Sequence, residues 1–160
     1  MELTPEAVAA ERDRLRGRAD GVVPLVNAVR EELGAAFDVE VDPIEAADYR
    51  GAIDAVFADG DLAVNVAALS MSLRELDVEG DYPGFVVDEL LGRELAAMIA
   101  GEQPLRLLAE ATFHYADASG SARRDEPAGA DDLEAALAAG VQTRLPGWGW
   151  RDGESPFSVG

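Results

Sequence analysis

Cysteine and lysine are both absent from the 160 residues, and histidine occurs once, as His114. Each absence removes a class of chemistry. Without cysteine there is no disulfide, thiol nucleophile, zinc finger or iron–sulfur cluster. Without lysine there is no Schiff-base enzyme, no pyridoxal phosphate attachment and no Walker A loop. One histidine cannot build an HExxH zinc site, and no serine sits in a GxSxG elbow that would use it in a triad. No GxGxxG follows a strand pattern, so a dinucleotide fold has no support. Aromatics are sparse at 6%. The longest mostly apolar run, residues 62–73, is too short to span a bilayer and contains polar side chains.

What the chain has is acid and alanine. There are 32 Asp and Glu against 13 arginines, a net charge of −19, and 29 alanines. The acids are spread between apolar residues, so the periodicity needed for a core survives and wholesale disorder is not expected. Dispersed acid without lysine is a salt-adapted, halophilic-like composition. At ~1 M salt the screening length falls to ~3 Å, which suppresses the self-repulsion of such a surface. In an ordinary cell the same charge would disfavour nucleic acid as a partner, because phosphate contacts need basic residues. In a high-salt cell that inference weakens, and nucleic acid is disfavoured because the chain has only one basic cluster. The opening MELTPEAV is acidic and not followed by an apolar stretch, so no secretory signal is expected and the reading is a soluble, cytoplasmic protein.

The length suits one domain with a real core, and the alanine-rich, aromatic-poor composition favours helices. The expected fold is mainly α: a small helical bundle of five or six helices with a minor two-stranded β element. Thr4-Pro5 is a cap followed by proline at the first helical position, opening a polar helix to about Arg18. Asp20-Gly21 reads as a break before the stripe Val22, Leu25, Val26, Val29 and Leu33, ended by Gly34. Residues 37–41 alternate as a short strand. Asp42, Pro43 and Glu45 have capping-box spacing before a helix that turns Tyr49, Ile53, Val56 and Phe57 inward. Asp61 is a candidate cap for the next helix, where Leu62, Val66, Leu69, Leu73 and Leu76 repeat at four and three.

Residues 82–117 have the densest periodicity and read as two antiparallel helices. Val87, Leu90, Leu91, Leu95, Met98 and Ile99 face inward on the first, which stops at Gly101. Pro104 opens the second, with Leu105, Leu108, Thr112 and Tyr115 on its inner face. Three segments follow: 1–117 as the helical core, 118–130 as a flexible linker, and 131–160 as a short helix, a possible strand (Val141, Thr143, Leu145) and an aromatic tail packing on the core.

Candidate functional residues are few. Glu102, Arg106, Glu110 and His114 are spaced by four, with Asp117 three beyond. Glu110, His114 and Asp117 are the candidate metal ligands, and the alternative is a solvated face of ion pairs. Trp148, Trp150 and Phe157 in the Gly/Pro-rich tail are the candidate partner-binding residues, because aromatic anchors dominate interfaces. The alternative is that the tryptophans fold back over the core. Arg12, Arg14, Arg16 and Arg18 form the one basic cluster, but successive members lie about 200° apart around the helix and do not make one face. The expected function is a non-enzymatic regulatory or adaptor domain that binds a protein partner or itself, without a cofactor. A carboxylate-based, divalent-metal-dependent helical enzyme and a DNA-associated regulator are the alternatives.

Overall fold

The structure, a computed structural model, describes residues 2–76, 79–101, 105–120 and 128–148. Helix α1 (Pro5–Arg16) begins as its sequence dictates, with the N–H of Ala7 donating to Thr4 Oγ1 at 3.1 Å and Pro5 in the first turn. Helix α2 (Ala19–Phe37) follows almost at once. The break therefore falls at Gly17-Arg18, and Asp20-Gly21 lie in the first turn of α2. Helices α3 (Ala46–Phe57) and α4 (Gly60–Glu75) come next. A short α5 (Asp81–Phe85) runs through a π-helical turn, Val86–Gly92, directly into α6 (Arg93–Ala100). Helices α7 (Leu105–Gly120) and α8 (Ala128–Val141) complete the fold, and a 3₁₀ turn, Gln142–Arg144, closes α8. With 81–100 counted as one rod, the described residues form seven helices.

The bundle is assembled around α8. Every residue from Asp132 to Thr143 is buried, and α8 packs on α7, α6, α2 and α4. Its alanines, Ala135, Ala136, Ala138 and Ala139, are buried, and so are Ala96, Ala97 and Ala100 on α6 and Ala109 and Ala116 on α7, the two helices it packs on most extensively. Small side chains let helix backbones approach closely. A Cβ at Gly140 would lie 2.7 Å from Ile99 Cβ and 3.1 Å from the carbonyl oxygen of Ala96. Helix α8 is thus part of the buried core. Residues 118–120 continue α7, while 121–127 lie outside the described residues.

Mainly helical is right, but the β element is not there: the described residues contain no strand. Phe37 is the last residue of α2, and Asp38 takes a left-handed conformation, φ 54°, that turns the chain back. Phe37 and Val39 are exposed, and of the alternating apolar residues at 37–41 only Val41 packs against the core. Its proposed partner is consumed by the end of α8 and the 3₁₀ turn, which keep Gln142 and Thr143 buried.

Tertiary bonds also move local signals. Helix α3 starts at Ala46, capped by a bond from the N–H of Glu45 to Asp48 Oδ2 at 2.9 Å. Residues 42–44 stay non-helical because the Asp42 carbonyl accepts from Arg30 at 2.6 Å and Asn27 holds both backbone groups of Ile44. Helix α4 is capped by Asp59, whose Oδ1 accepts from the N–H groups of Asp61 and Leu62, in place of Asp61. On α7 the buried face is Ala109, Thr112, Phe113 and Ala116, with Tyr115 and Leu107 outside.

Two outcomes follow from this packing. Gly140→Ala should destabilise the fold by about 1–3 kcal/mol through overpacking against Ile99, despite alanine's helix propensity, as read from urea unfolding in molar KCl. Tyr49 is fully buried and donates to the Leu15 carbonyl at 2.5 Å. Burial raises its phenol well above the ordinary range, with Arg18 opposing and Glu134 adding to the shift. The unfolded chain therefore releases this proton first, near pH ~10, and stability falls as pH rises past that value. Tyr49→Phe should lose less stability than the wild type across that window.

Candidate functional site

The α7 ladder is only partly a gathering of side chains. Glu102 lies outside the described residues. Arg106 Nη2 reaches across to Glu94 on α6 at 3.6 Å. His114 is exposed, and Glu110 and Asp117 are half-buried on either side of it. Among the described residues no group of three or more His, Asp or Glu is placed to hold a metal ion.

Of the aromatic tail, Trp150 and Phe157 lie outside the described residues. Trp148 is buried, and it closes a clasp organised by Arg30. Arg30 sits on the apolar stripe of α2, beside Val26, Val29 and Leu33, and is only 1% exposed. Its Nε donates to Gln142 Oε1 at 2.6 Å, its Nη1 to the carbonyls of Asp42 and Pro146 at 2.6 Å each, and its Nη2 to the Gln142 carbonyl at 3.3 Å. Gln142 passes the connection on, donating from Nε2 to the Val26 carbonyl at 3.1 Å. The indole N–H of Trp148 donates to the Gln142 carbonyl at 2.8 Å, and the guanidinium lies 5.4 Å from the indole centroid. Burial lowers the Arg30 pKa to about 10, with Asp48 and Asp42 holding it up. Trp148 is therefore bound internally, stacked on a cation. Beside it opens a cleft of about 730 Å³ between α3 and residues 143–148, lined by Asp48, Gly51, Thr143 and Trp148 among others. The buried Thr143 hydroxyl there has no hydrogen-bond partner among the described residues.

A second charged assembly forms where α1, α2, α4 and α8 meet. Glu11 shares a face with Val8 and Leu15 on α1 and is fully buried. Its carboxylate accepts from Arg74 Nη1 at 2.7 and 2.6 Å and from Ser70 Oγ at 3.0 Å, with Arg14 at 3.5 Å. Glu134 of α8, nearly buried, pairs with Arg18 at 3.3 Å. Its carboxylate lies over the first turn of α2: a Cβ at Gly21 would be 2.0 Å from Oε2, so a larger residue there would displace the Glu134 side chain. The four N-terminal arginines separate as the helical spacing requires. Arg12 pairs with Asp13 and Arg16 with Asp54, whereas Arg14 and Arg18 turn to a cleft of about 410 Å³ shared with Arg74 and Glu134. Sequence reading passed over Glu11, Arg30, Arg74 and Glu134. Their common signal is a charged residue at core spacing on an apolar helix face.

The described surface also carries a concentrated apolar feature. Tyr82, Phe85 and Leu90 are 77%, 51% and 52% exposed within nine residues of chain. The π turn causes part of this. Its bonds run between residues five apart, which stacks Leu90 near Phe85 and rotates it off the inward face that α-helical spacing assigns to it. Val87, Leu95 and Ile99 keep that inward face.

A family model described as "Domain of unknown function (DUF7984)" matches residues 1–160, and the chain belongs to that family. No curated protein and no solved structure matches it.

The Arg30 clasp makes a sharp mutational forecast. Arg30→Lys removes the planar fork and leaves buried acceptors unpaired, so it should cost about 2–4 kcal/mol. The measurement is urea unfolding with a parallel change in Trp148 fluorescence.

Proposed function

We propose that the chain is a non-enzymatic regulatory or adaptor domain that docks a protein partner through the segment 82–90. The observation that carries this reading is the exposure of Tyr82, Phe85 and Leu90 together. Single exposed apolar residues are ordinary, but two aromatics and a leucine along one short helical stretch are a recognition feature. A π turn of this kind recurs at functional positions. Docking such a stretch into an apolar groove follows the helix-in-groove mode, with anchors spaced along one side.

Charge supports a partner of different composition over a second copy. Glu79 and Asp81 are exposed beside the anchors, and Glu89 is half-buried among them. Two copies would set these acids against each other within chains of net charge −19. A partner with an apolar groove and an arginine- or lysine-rich rim complements both features. The exclusions in composition support a binding role as well, since neither cysteine nor lysine is available for covalent catalysis.

A photo-crosslinking amino acid at Tyr82 should give one dominant heterologous adduct in the native cell. Phe85→Asp should abolish that adduct with little change in melting temperature, whereas Val64→Asp, at another exposed apolar site, should leave it intact. An adduct of twice the chain mass would replace the partner with a second copy. A smear of unspecific adducts, unchanged in Phe85→Asp, would overturn the reading.

A further inference from the structure

We propose that the cleft between α1, the first turn of α2, α4 and α8 binds a phosphate group, either as the free ion or as the terminal phosphomonoester of a small molecule. This site is separate from segment 82–90 and does not depend on the docking proposal. The cleft is lined by Arg14, Gly17, Arg18, Gly21, Arg74 and Glu134 and has room for a small ligand, at about 410 Å³.

Charge makes the cleft stand out. Acids outnumber arginines more than twofold in the whole chain, yet here three guanidinium groups face two carboxylates, Glu11 and Glu134. The local balance is positive by one charge. Glu11 is buried beneath the cleft and acts as an anchor. It holds Arg74 through Nη1 and draws Arg14 at 3.5 Å, so both heads are aimed by one carboxylate.

Donor geometry supplies the second argument. Each of the three arginines meets its carboxylate through Nη1. A guanidinium has five N–H donors in a rigid fork, so Nη2 and Nε on each side remain to engage a tetrahedral oxyanion. Phosphate takes such forks in pairs, as bidentate charge-assisted bonds. The first turn of α2, which no side chain caps, adds partial positive charge that Asp20 in that turn and Glu134 above it partly offset.

Glu134 is the opposing group. It sits over Gly21 at the helix start and pairs with Arg18, occupying part of the field that a ligand would use. An incoming phosphate competes with this carboxylate for Arg18. Removing the negative charge at 134 should therefore strengthen binding, and removing the most exposed guanidinium, Arg14, should weaken it. That pair of opposite effects belongs to a ligand site. A merely structural ion-pair cluster would lose stability in both cases and show no saturable uptake.

Isothermal titration of the full chain in molar KCl tests this, with inorganic phosphate, phenyl phosphate and sulfate injected in turn at matched ionic strength. The expected result is saturable one-to-one binding of phosphate or its monoester. Arg14→Gln should weaken it at least tenfold while leaving the fold intact, because Arg14 is largely exposed. Glu134→Gln should tighten it about tenfold. If Glu134→Gln does not fold, Arg14→Gln alone decides. Tighter binding of phenyl phosphate than of the free ion assigns the site to a monoester, and the reverse assigns it to free phosphate. Non-saturating heats, equal binding in Arg14→Gln, or tighter binding of a duplex oligonucleotide than of either small ligand would overturn the proposal.

Discussion

The burial of α8 is the constraint on which the rest of this structure depends. The helix is enclosed by α2, α4, α6 and α7, so whatever polar groups it carries must be met inside the protein. Glu134 stands at its middle and Gln142 just past its end, and both are buried. Helix α2 answers both. Arg18 meets Glu134 and Arg30 meets Gln142. The two arginines tie α2 to the middle and to the C-terminal end of α8, while alanine and glycine between them permit close approach. A buried ion pair adds little net stability compared with an apolar contact, but breaking one partner is expensive. Such pairs therefore set register more than they add energy.

The same logic divides the arginines of a very acidic chain. Arg30 is wholly internal, and Arg74 and Arg18 are largely engaged with Glu11 and Glu134. Arg16 ties α1 to α3 through Asp54. Arginine suits these places because its planar fork meets several acceptors at once. Arg30 does so with four oxygens, belonging to Gln142, Asp42 and Pro146. Where α1, α2, α4 and α8 converge, three guanidinium groups meet two carboxylates.

The two surface features on which the proposals rest differ in their physics. Segment 82–90 offers apolar area rimmed by acid, suited to a large partner that excludes water. The arginine cleft offers directional, charge-assisted bonds, suited to a small oxyanion. Neither contains a histidine, cysteine or lysine, and both are read as binding surfaces. His114 stands apart from them on the outer face of α7, in a setting that its spacing from Glu110 and Asp117 described only along one helix.

What the sequence by itself determined is local. The Thr4-Pro5 start, the inward faces of α3 and of Val22, Val26, Val29 and Leu33, and the mainly helical class all depend on neighbours within a turn or two. Tertiary structure decided the rest. It replaced the supposed strands at 37–41 and 141–145 with helix ends, moved the start of α3 past residues held by Arg30 and Asn27, and turned α7 so that Ala109 and Ala116 face α8. It also brought Arg74 to Arg14 and Glu134 to Arg18, across 116 residues of chain in the latter case. The physical reason is range. Periodicity and capping are fixed by backbone geometry over a few residues, whereas a buried charge chooses its partner from whatever the packed core places beside it.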